Sequence, residues 1–233
     1  MEERFPLSGQ YDRNWIDENK MGPNPLWLLE DLMENMQLKK GMRVLDMGCG
    51  KAITSIFLAK EFGVQVWAND LWINPDENAL RIKEAGAEDL VFPIKAEAHS
   101  LPYSESFFDA IISIDAYHYF GTSDLYLPWY FQKLVKKGGE IGIVVPAVKK
   151  EVRNEEDIPE KLREYWDADF YTFHTSEWWA NHWRKSKAVD IKLAEYIKAG
   201  REIWLNSKVD LEALAADEEQ ILSFVKMIGK RKQ

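Results

Sequence analysis

Short apolar runs alternate with longer amphipathic segments through the middle of this chain, a pattern typical of a parallel α/β fold. The short runs are β-branched and apolar on both faces, as buried parallel strands require. They predict strands at residues 43–47, 64–68, 90–94, 110–114, 140–145, 189–193 and 221–228. The intervening segments predict helices at residues 52–62, 75–85, 124–137 and 199–216.

A further helix is expected before the first strand, in an N-terminal helical segment of residues 1–40. Residues 26–38 place apolar side chains on one helical face, and Asn24 with Pro25 supplies an N-cap and a first-turn proline. Right-handed crossovers put helices on both faces of such a sheet and a ligand crevice beyond the carboxyl ends of its strands. We predict one domain over residues 1–233.

Residues 147–187 interrupt the alternation. An acidic stretch leads into YWDADFYTFHTSEWWANHW, which contains four of the ten tryptophans. We predict an inserted lid over the crevice, whose rings either cage a cationic amine or cover a hydrophobic ligand. A helix packed in the core would explain about half of these rings equally well. The rings concerned are Trp166, Tyr171, Trp178, Trp179 and Trp183.

Composition narrows the class of protein. The net charge of −9 counts against nucleic-acid binding and favours a small-molecule or peptide partner. One cysteine, Cys49, excludes an internal disulfide, and four scattered histidines lack metal-ligand spacing, so no metal site is expected. No run approaches the ~20 apolar residues of a membrane span, and the first residues do not resemble a signal peptide. We expect a cytoplasmic protein without membrane contact, and leave its oligomeric state open.

Candidate chemistry begins at RVLDMGCGKA, residues 43–52, which reads as a strand, a tight turn and a helix start. A dinucleotide fingerprint needs a third glycine where Ile53 stands, which disfavours a nicotinamide-dependent oxidoreductase. A phosphate-binding GK[ST] sequence is also absent. Instead Asp46 precedes Gly48 by two residues, which suits a ligand with positive charge at that end.

The run V-L-D-x-G-C-G resembles motif I of the class I S-adenosylmethionine-dependent methyltransferases. The resemblance implies a Rossmann-like sheet of seven mostly parallel strands, the last antiparallel, with helices on both faces. It also implies S-adenosylmethionine as cofactor, with Asp46, Gly48 and Gly50 as contacts of its methionyl end. The family's frequent third glycine falls at Ala52.

Four further stretches resemble the family in the expected order. Asp70, about 20 residues past the turn, matches the acid that accepts the ribose hydroxyls, and Leu71 follows it. In KAEAHSLPYSESFFDAIIS, Glu97 and the backbone N–H of Ala98 match the adenine contacts. In SIDAYHYFG, Asp115 matches a residue facing the methionyl amino group. The final stretch, GGEIGIVVPA, matches the family's turn and strand after the fourth helix.

The end of the fourth strand also supplies catalytic candidates. Tyr117 and His118 would border the substrate, and His118 has the near-neutral pKa of a general base. A histidine that packs beside the cofactor is an equal alternative. If His118 is the base, His118→Ala should lower turnover with little change in cofactor affinity.

The sequence therefore predicts an enzyme that methylates an N, O or S atom of a small molecule. A methyltransferase acting on RNA or protein is the first alternative, although neither a basic face nor an appended binding domain is evident. A non-catalytic S-adenosylmethionine-binding module is the second.

Overall fold

A computed structural model describes residues 1 and 3–233. One sheet of seven strands runs through it in the spatial order β3-β2-β1-β4-β5-β7-β6. The strands are β1 Arg43–Met47, β2 Gln65–Asp70, β3 Val91–Lys95, β4 Phe108–Ile114, β5 Val135–Val148, β6 Val189–Tyr196 and β7 Leu222–Arg231. Parallel pairing joins β1 to β2 and β4, whereas β7 runs antiparallel to both β5 and β6. The predicted fold class, including the antiparallel last strand, is confirmed.

Helices cover both faces of the sheet. They are α1 Arg13–Asn19, α2 Pro25–Met33, α3 Ile53–Phe62, α4 Pro75–Glu84, α5 Gln132–Leu134, α6 Ser176–Ser186, α7 Gly200–Ser207 and α8 Leu211–Ala216. Neighbouring side chains on β1 enter different apolar layers, because Val44 joins one buried cluster and Leu45 the other. Within residues 1 and 3–233, no helix combines the length and apolar character that crossing a membrane requires.

Local signals explain where the helices near the crevice begin. The side chain of Asn24 accepts a hydrogen bond from the N–H of Leu26 at 3.0 Å, so the predicted N-cap of α2 is present. Asn74 caps α4 in the same way, through the N–H of Asp76 at 3.0 Å.

A side chain also links two strands. Asp109, next to the buried Phe108, accepts a hydrogen bond from the N–H of Arg43 at 2.8 Å and so ties β4 to the start of β1.

Two predicted helices are different in the structure. The segment 124–137 contains a π-helical turn, Leu127–Phe131, and the three-residue α5, since Val135 is already extended and pairs with Phe108. The segment 199–216 is split into α7 and α8 because Lys208 and Asp210 adopt left-handed conformations with φ of 63° and 53°. The break in the second segment was not expected, because neither Lys208 nor Asp210 is a glycine or a proline.

The aromatic segment divides into two parts. From residue 155 to 172 it forms short 3₁₀ turns, and α6 follows. Trp179 and Trp183 on α6 are fully buried in the apolar layer under the sheet, whereas Trp178 is partly exposed and stacks on His174. These two tryptophans are therefore core residues rather than part of a lid, because α6 packs on β6 and β7.

Candidate cofactor and acceptor site

The turn after β1 presents bare backbone to a crevice. Gly48 and Gly50 have φ of +75° and +53°, and a Cβ at Gly48 would lie 2.3 Å from the Cβ of Ala116. A Cβ at Gly50 would lie 3.0 Å from Sδ of Met21. The N–H groups of Gly48 and Cys49 both donate to the carbonyl of Asn69, at 2.8 and 3.1 Å. The turn is therefore fixed against β2, and a side chain at Gly48 would not fit.

A cavity of about 390 Å³ opens beside this turn at the carboxyl ends of β1, β2 and β4. This volume is within the range of small-molecule sites. Seven of the residues predicted from the sequence line it: Gly48, Gly50, Asp70, Leu71, Glu97, Ala98 and Asp115. The other three, Asp46, Tyr117 and His118, are not in its wall.

Asp46 lies beneath the turn. Its Oδ2 accepts hydrogen bonds from the hydroxyls of Thr54 and Ser55, each at 2.6 Å. Burial raises the pKa of Asp46 to about 6, although both hydroxyls favour the charged form. Ala52, at the N-cap of α3, has no side chain that could bond to the first turn of the helix. The bonds of Asp46 to Thr54 and Ser55 join that first turn to β1 instead. The position of Asp46 is that of a support for the turn rather than of a direct cofactor contact.

Asp70 connects two loops at the crevice. Its Oδ2 accepts from the N–H of Gly50 at 2.8 Å, and its Oδ1 accepts from the N–H groups of Trp72 and Ile73 at 2.8 and 3.0 Å. A carboxylate has lone pairs beyond these three bonds, so it can also accept from hydroxyls of a ligand.

Glu97 and Ala98 form the next part of the wall. The Glu97 carboxylate accepts from the N–H of His99 at 2.8 Å and contacts Nδ1 of the same histidine at 2.8 Å. The hydrogen bond to the His99 side chain is the main cause that lowers the pKa of Glu97, so this acid is charged at neutral pH. Ala98 is held by its carbonyl, which accepts from the Tyr126 hydroxyl at 3.0 Å.

Asp115 follows β4 in a left-handed conformation with φ of 57°. Its N–H donates to the carbonyl of Val144 at 2.8 Å, which fixes the backbone. The carboxylate faces the N-terminal segment, since a Cβ at Gly22 would lie 3.0 Å from its Oδ2. Burial, and secondarily the charge of Asp210, raise the pKa of Asp115 to about 7. It accepts no side-chain hydrogen bond from any residue that the structure describes, so a cationic ligand group would complete it.

Tyr117 and His118 turn away from the cavity. A 3₁₀ turn, Tyr117–Tyr119, directs Tyr117 into the core against Trp179 and Trp183, with ring centroids 5.8 and 5.9 Å apart. His118 is only 2% exposed, and burial lowers its pKa to about 3. A sequence cannot reveal how such a turn rotates successive side chains. The positions of these two residues do not support the predicted catalytic roles.

Aromatic residues that were not predicted from the sequence line the part of the cavity wall near the end of β4. Tyr119 and Phe120 line it from the end of β4, and Trp72 lines it from the loop after β2. Trp72 and Tyr119 pack edge to face, with centroids 5.8 Å apart. Sequence reasoning did not select them, although Trp72 stands two residues after the predicted ribose acid.

The segment between α1 and α2, here called the strap (residues 19–25), forms the opposite wall. The Arg81 guanidinium donates to Oδ1 of Asn19 at 3.0 Å and to Oδ1 of Asn78 at 2.9 Å. Asn78 in turn donates to the carbonyl of Gly50 at 2.9 Å. The strap is thus linked to the glycine turn. Met21 lines the cavity, whereas the Tyr11 hydroxyl lies outside it and donates to Glu61 at 2.8 Å.

No group of three or more His, Cys, Asp or Glu side chains in the described part of the chain is arranged to hold a metal ion.

Comparison with known proteins agrees with this geometry. Residues 44–139 match the family model described as "Methyltransferase domain". The chain is 30% identical over 123 residues to "Methyltransferase GfsG" of Streptomyces halstedii, which covers 52% of this chain and 44% of that protein. It is 30% identical over 112 residues to "Phosphoethanolamine N-methyltransferase 1" of Zea mays, covering 48% and 22%. The chain thus spans less than half the length of these relatives.

A solved structure extends the likeness to nearly the whole fold. Phosphoethanolamine N-methyltransferase 2 of Haemonchus contortus, in complex with S-adenosyl-L-methionine, superposes with a TM-score of 0.74 at 20% identity. The alignment covers 94% of this chain and 56% of that one. At this identity the superposition establishes the fold alone. Residues 44–139 of this chain are similar to the methyltransferase domain family, and nearly the whole chain shares its fold with that S-adenosyl-L-methionine complex.

Proposed function

We propose that this protein transfers the methyl group of S-adenosylmethionine to an N, O or S atom of a small-molecule acceptor. One observation supports the proposal: a single cavity brings together Gly48 and Gly50 of the turn after β1 and the acids Asp70, Glu97 and Asp115, which are far apart in the sequence.

The chain's own groups fit this cofactor. The Asp115 carboxylate lines the cavity and receives no side-chain hydrogen bond from the described residues. On this proposal Asp70 accepts the ribose hydroxyls, Glu97 with the Ala98 N–H holds the adenine, and Asp115 faces the methionyl ammonium. The bound cofactor supplies an electrophilic methyl group on a sulfonium sulfur.

The protein's contribution is positioning and the exclusion of water. The strap covers one side of the cavity, and Tyr119 and Phe120 form the side beyond Asp115. We assign no general base, since His118 is buried outside the wall. An acceptor that is nucleophilic in its neutral form needs none.

The test has two stages. Isothermal titration with S-adenosylmethionine and S-adenosylhomocysteine should show one site per chain, and Asp70→Ala should weaken it. Incubation with S-adenosylmethionine and fractionated metabolite pools should then release S-adenosylhomocysteine, measured by mass spectrometry. Absence of binding would refute the proposal. Binding without release from any small-molecule, RNA or protein pool would favour the non-catalytic module.

A further inference from the structure

We propose that Lys51 is the cation that binds the methionyl carboxylate of S-adenosylmethionine. This inference rests on the proposed function and gives a partner to the anionic group of the cofactor, which none of the contacts proposed above provides. It depends on three features of the structure: the place of Lys51 in the cavity wall, a positive charge that no acid neutralises, and the open start of α3 beside it.

Lys51 and Asp115 lie against the same two residues of the strap. Lys51 follows Gly50, where a Cβ would lie 3.0 Å from Sδ of Met21. A Cβ at Gly22, the next residue of the strap, would lie 3.0 Å from Oδ2 of Asp115. Both Lys51 and Asp115 line the cavity. A ligand that carries an ammonium and a carboxylate on one carbon would therefore find a partner of opposite charge for each group on this stretch of the wall.

The positive charge of Lys51 is not neutralised by an acid. Its Nζ donates to the backbone carbonyl of Glu18 at 2.9 Å, and it forms no ion pair with any carboxylate of residues 1 and 3–233. An ammonium group has three donors, so two remain for a ligand. The side chain is partly buried, and solvent screens a partly buried pair less than an exposed one.

The other cationic side chains in the described part of the wall are already paired. Nζ of Lys20 lies 2.6 Å from Oδ1 of Asp17. Nδ1 of His99 lies 2.8 Å from Oε1 of Glu97. A carboxylate that bound to either of these groups would have to compete with the acid already there. Lys51 is therefore the wall cation best placed to accept it.

The helix that follows Lys51 favours an anion at the same place. Ala52, the N-cap of α3, forms no side-chain hydrogen bond, and Ile53 and Thr54 of the first turn line the cavity. Asp46 accepts from hydroxyl groups of this turn and not from its backbone N–H groups. The N-terminal end of a helix carries partial positive charge, so it adds to the attraction that Lys51 exerts on a carboxylate.

Two ligands that differ in one group test the inference. S-adenosylmethionine and decarboxylated S-adenosylmethionine share the adenosine, the sulfonium and the amino group, and only the first has the carboxylate. Isothermal titration at pH 7 gives the Kd of each ligand for the parent protein and for its variants. Lys51→Met should lower the preference for the ligand with the carboxylate by about tenfold. Lys51→Arg keeps the charge and should retain most of that preference.

Lys60→Met is the matched control, because Lys60 is exposed on α3 and does not line the cavity. It should change the ratio of the two Kd values by less than about twofold, since water and salt screen a distant charge. If Lys51→Met leaves this ratio unchanged, whether or not both affinities fall, the lysine only holds the strap through Glu18 and the inference is overturned. A preference that is lost in Lys20→Met and kept in Lys51→Met would overturn it in favour of Lys20. Failure of the parent protein to bind either ligand would instead refute the proposed function.

Discussion

The carboxylate of Asp70 accepts a hydrogen bond from the backbone N–H of Gly50 at 2.8 Å. Its second oxygen accepts from the N–H of Trp72 at 2.8 Å. One side chain at the end of β2 thus fixes the turn after β1 and the loop after β2. Both the proposed cofactor turn and the loop that carries Trp72 into the cavity wall depend on this acid for their positions.

We predict that Asp70→Asn weakens binding of S-adenosylhomocysteine by about tenfold or more. The amide keeps the size of the side chain but loses the charge that strengthens its bonds to backbone N–H groups. Isothermal titration measures the change. Asp76→Asn, at an exposed position in the first turn of α4, is the control and should bind normally. Equal affinity of the two variants would contradict the role given to Asp70.

The glycine turn allows a second matched comparison. Gly50 and Gly86 have similar positive φ, +53° and +65°, but a Cβ at Gly86 meets nothing within 4 Å. Gly50→Ala and Gly86→Ala should therefore carry a similar backbone strain, of about 1 kcal/mol. Gly50→Ala alone should also weaken cofactor binding, about threefold to tenfold, because its methyl group would displace Met21. A thermal-shift assay with and without S-adenosylhomocysteine separates the two effects.

Much of the fold is predictable because its signals are local. Val44 and Leu45 lie in β1 as expected, and Asn24 with Pro25 starts α2. The break between α7 and α8 is not predictable, since Lys208 and Asp210 have left-handed backbones without a glycine. Tertiary packing, rather than the preference of these residues, decides the conformation there.

For the candidate site, the sequence identifies which chain segments meet but not which way their side chains point. Gly48 and Asp70 line the cavity as predicted because a glycine turn and a strand end have few alternative placements. His118 and Tyr119 are adjacent in sequence, yet only Tyr119 reaches the wall. That difference depends on the rotation of a 3₁₀ turn packed against Trp179 and Phe173.

The link between the strap and the glycine turn predicts a dynamic effect. Arg81→Met removes the donors to Asn19 and Asn78 while keeping much of the apolar stem. Amide hydrogens of residues 19–22 should then exchange faster with solvent, and the Kd for S-adenosylmethionine should rise a few-fold. Lys83→Met, an exposed change on the same helix, is the control. Unchanged exchange in Arg81→Met would show that the strap is held by other contacts.

The raised pKa of Asp115 predicts that the free energy of unfolding depends on pH. Its pKa in the folded protein is about 7, above the unfolded value near 3.9. The carboxyl therefore adds to stability below about pH 4, and this contribution is lost as the pH rises through about 7. Asp115→Asn, which tolerates the left-handed backbone, should be more stable than the parent protein at pH 8 by the order of 1–3 kcal/mol. Urea unfolding should show no such gain at pH 4.

The same group predicts the pH dependence of cofactor affinity. If Asp115 faces the methionyl ammonium, binding favours its charged form, so affinity for S-adenosylmethionine should rise between pH 5 and pH 8. Titrations at both pH values should show less of this rise in Asp115→Asn. An equal rise in the two proteins would place the cofactor's amino group elsewhere.

A buried ion pair between β7 and α2 predicts a large effect on stability. Nζ of Lys226 lies 2.7 Å from Oδ1 of Asp31, and both residues are almost fully buried. Lys226→Met would leave the Asp31 carboxylate buried, with Arg4 at 3.7 Å as a distant partner. We expect a loss of about 3–5 kcal/mol in the free energy of unfolding, measured with urea. The double variant Asp31→Leu/Lys226→Met should recover most of it, because no charge is then stranded, and the exposed Lys230→Met should be neutral. A double variant as unstable as the single one would show that packing around Lys226, rather than its charge, holds β7 against α2.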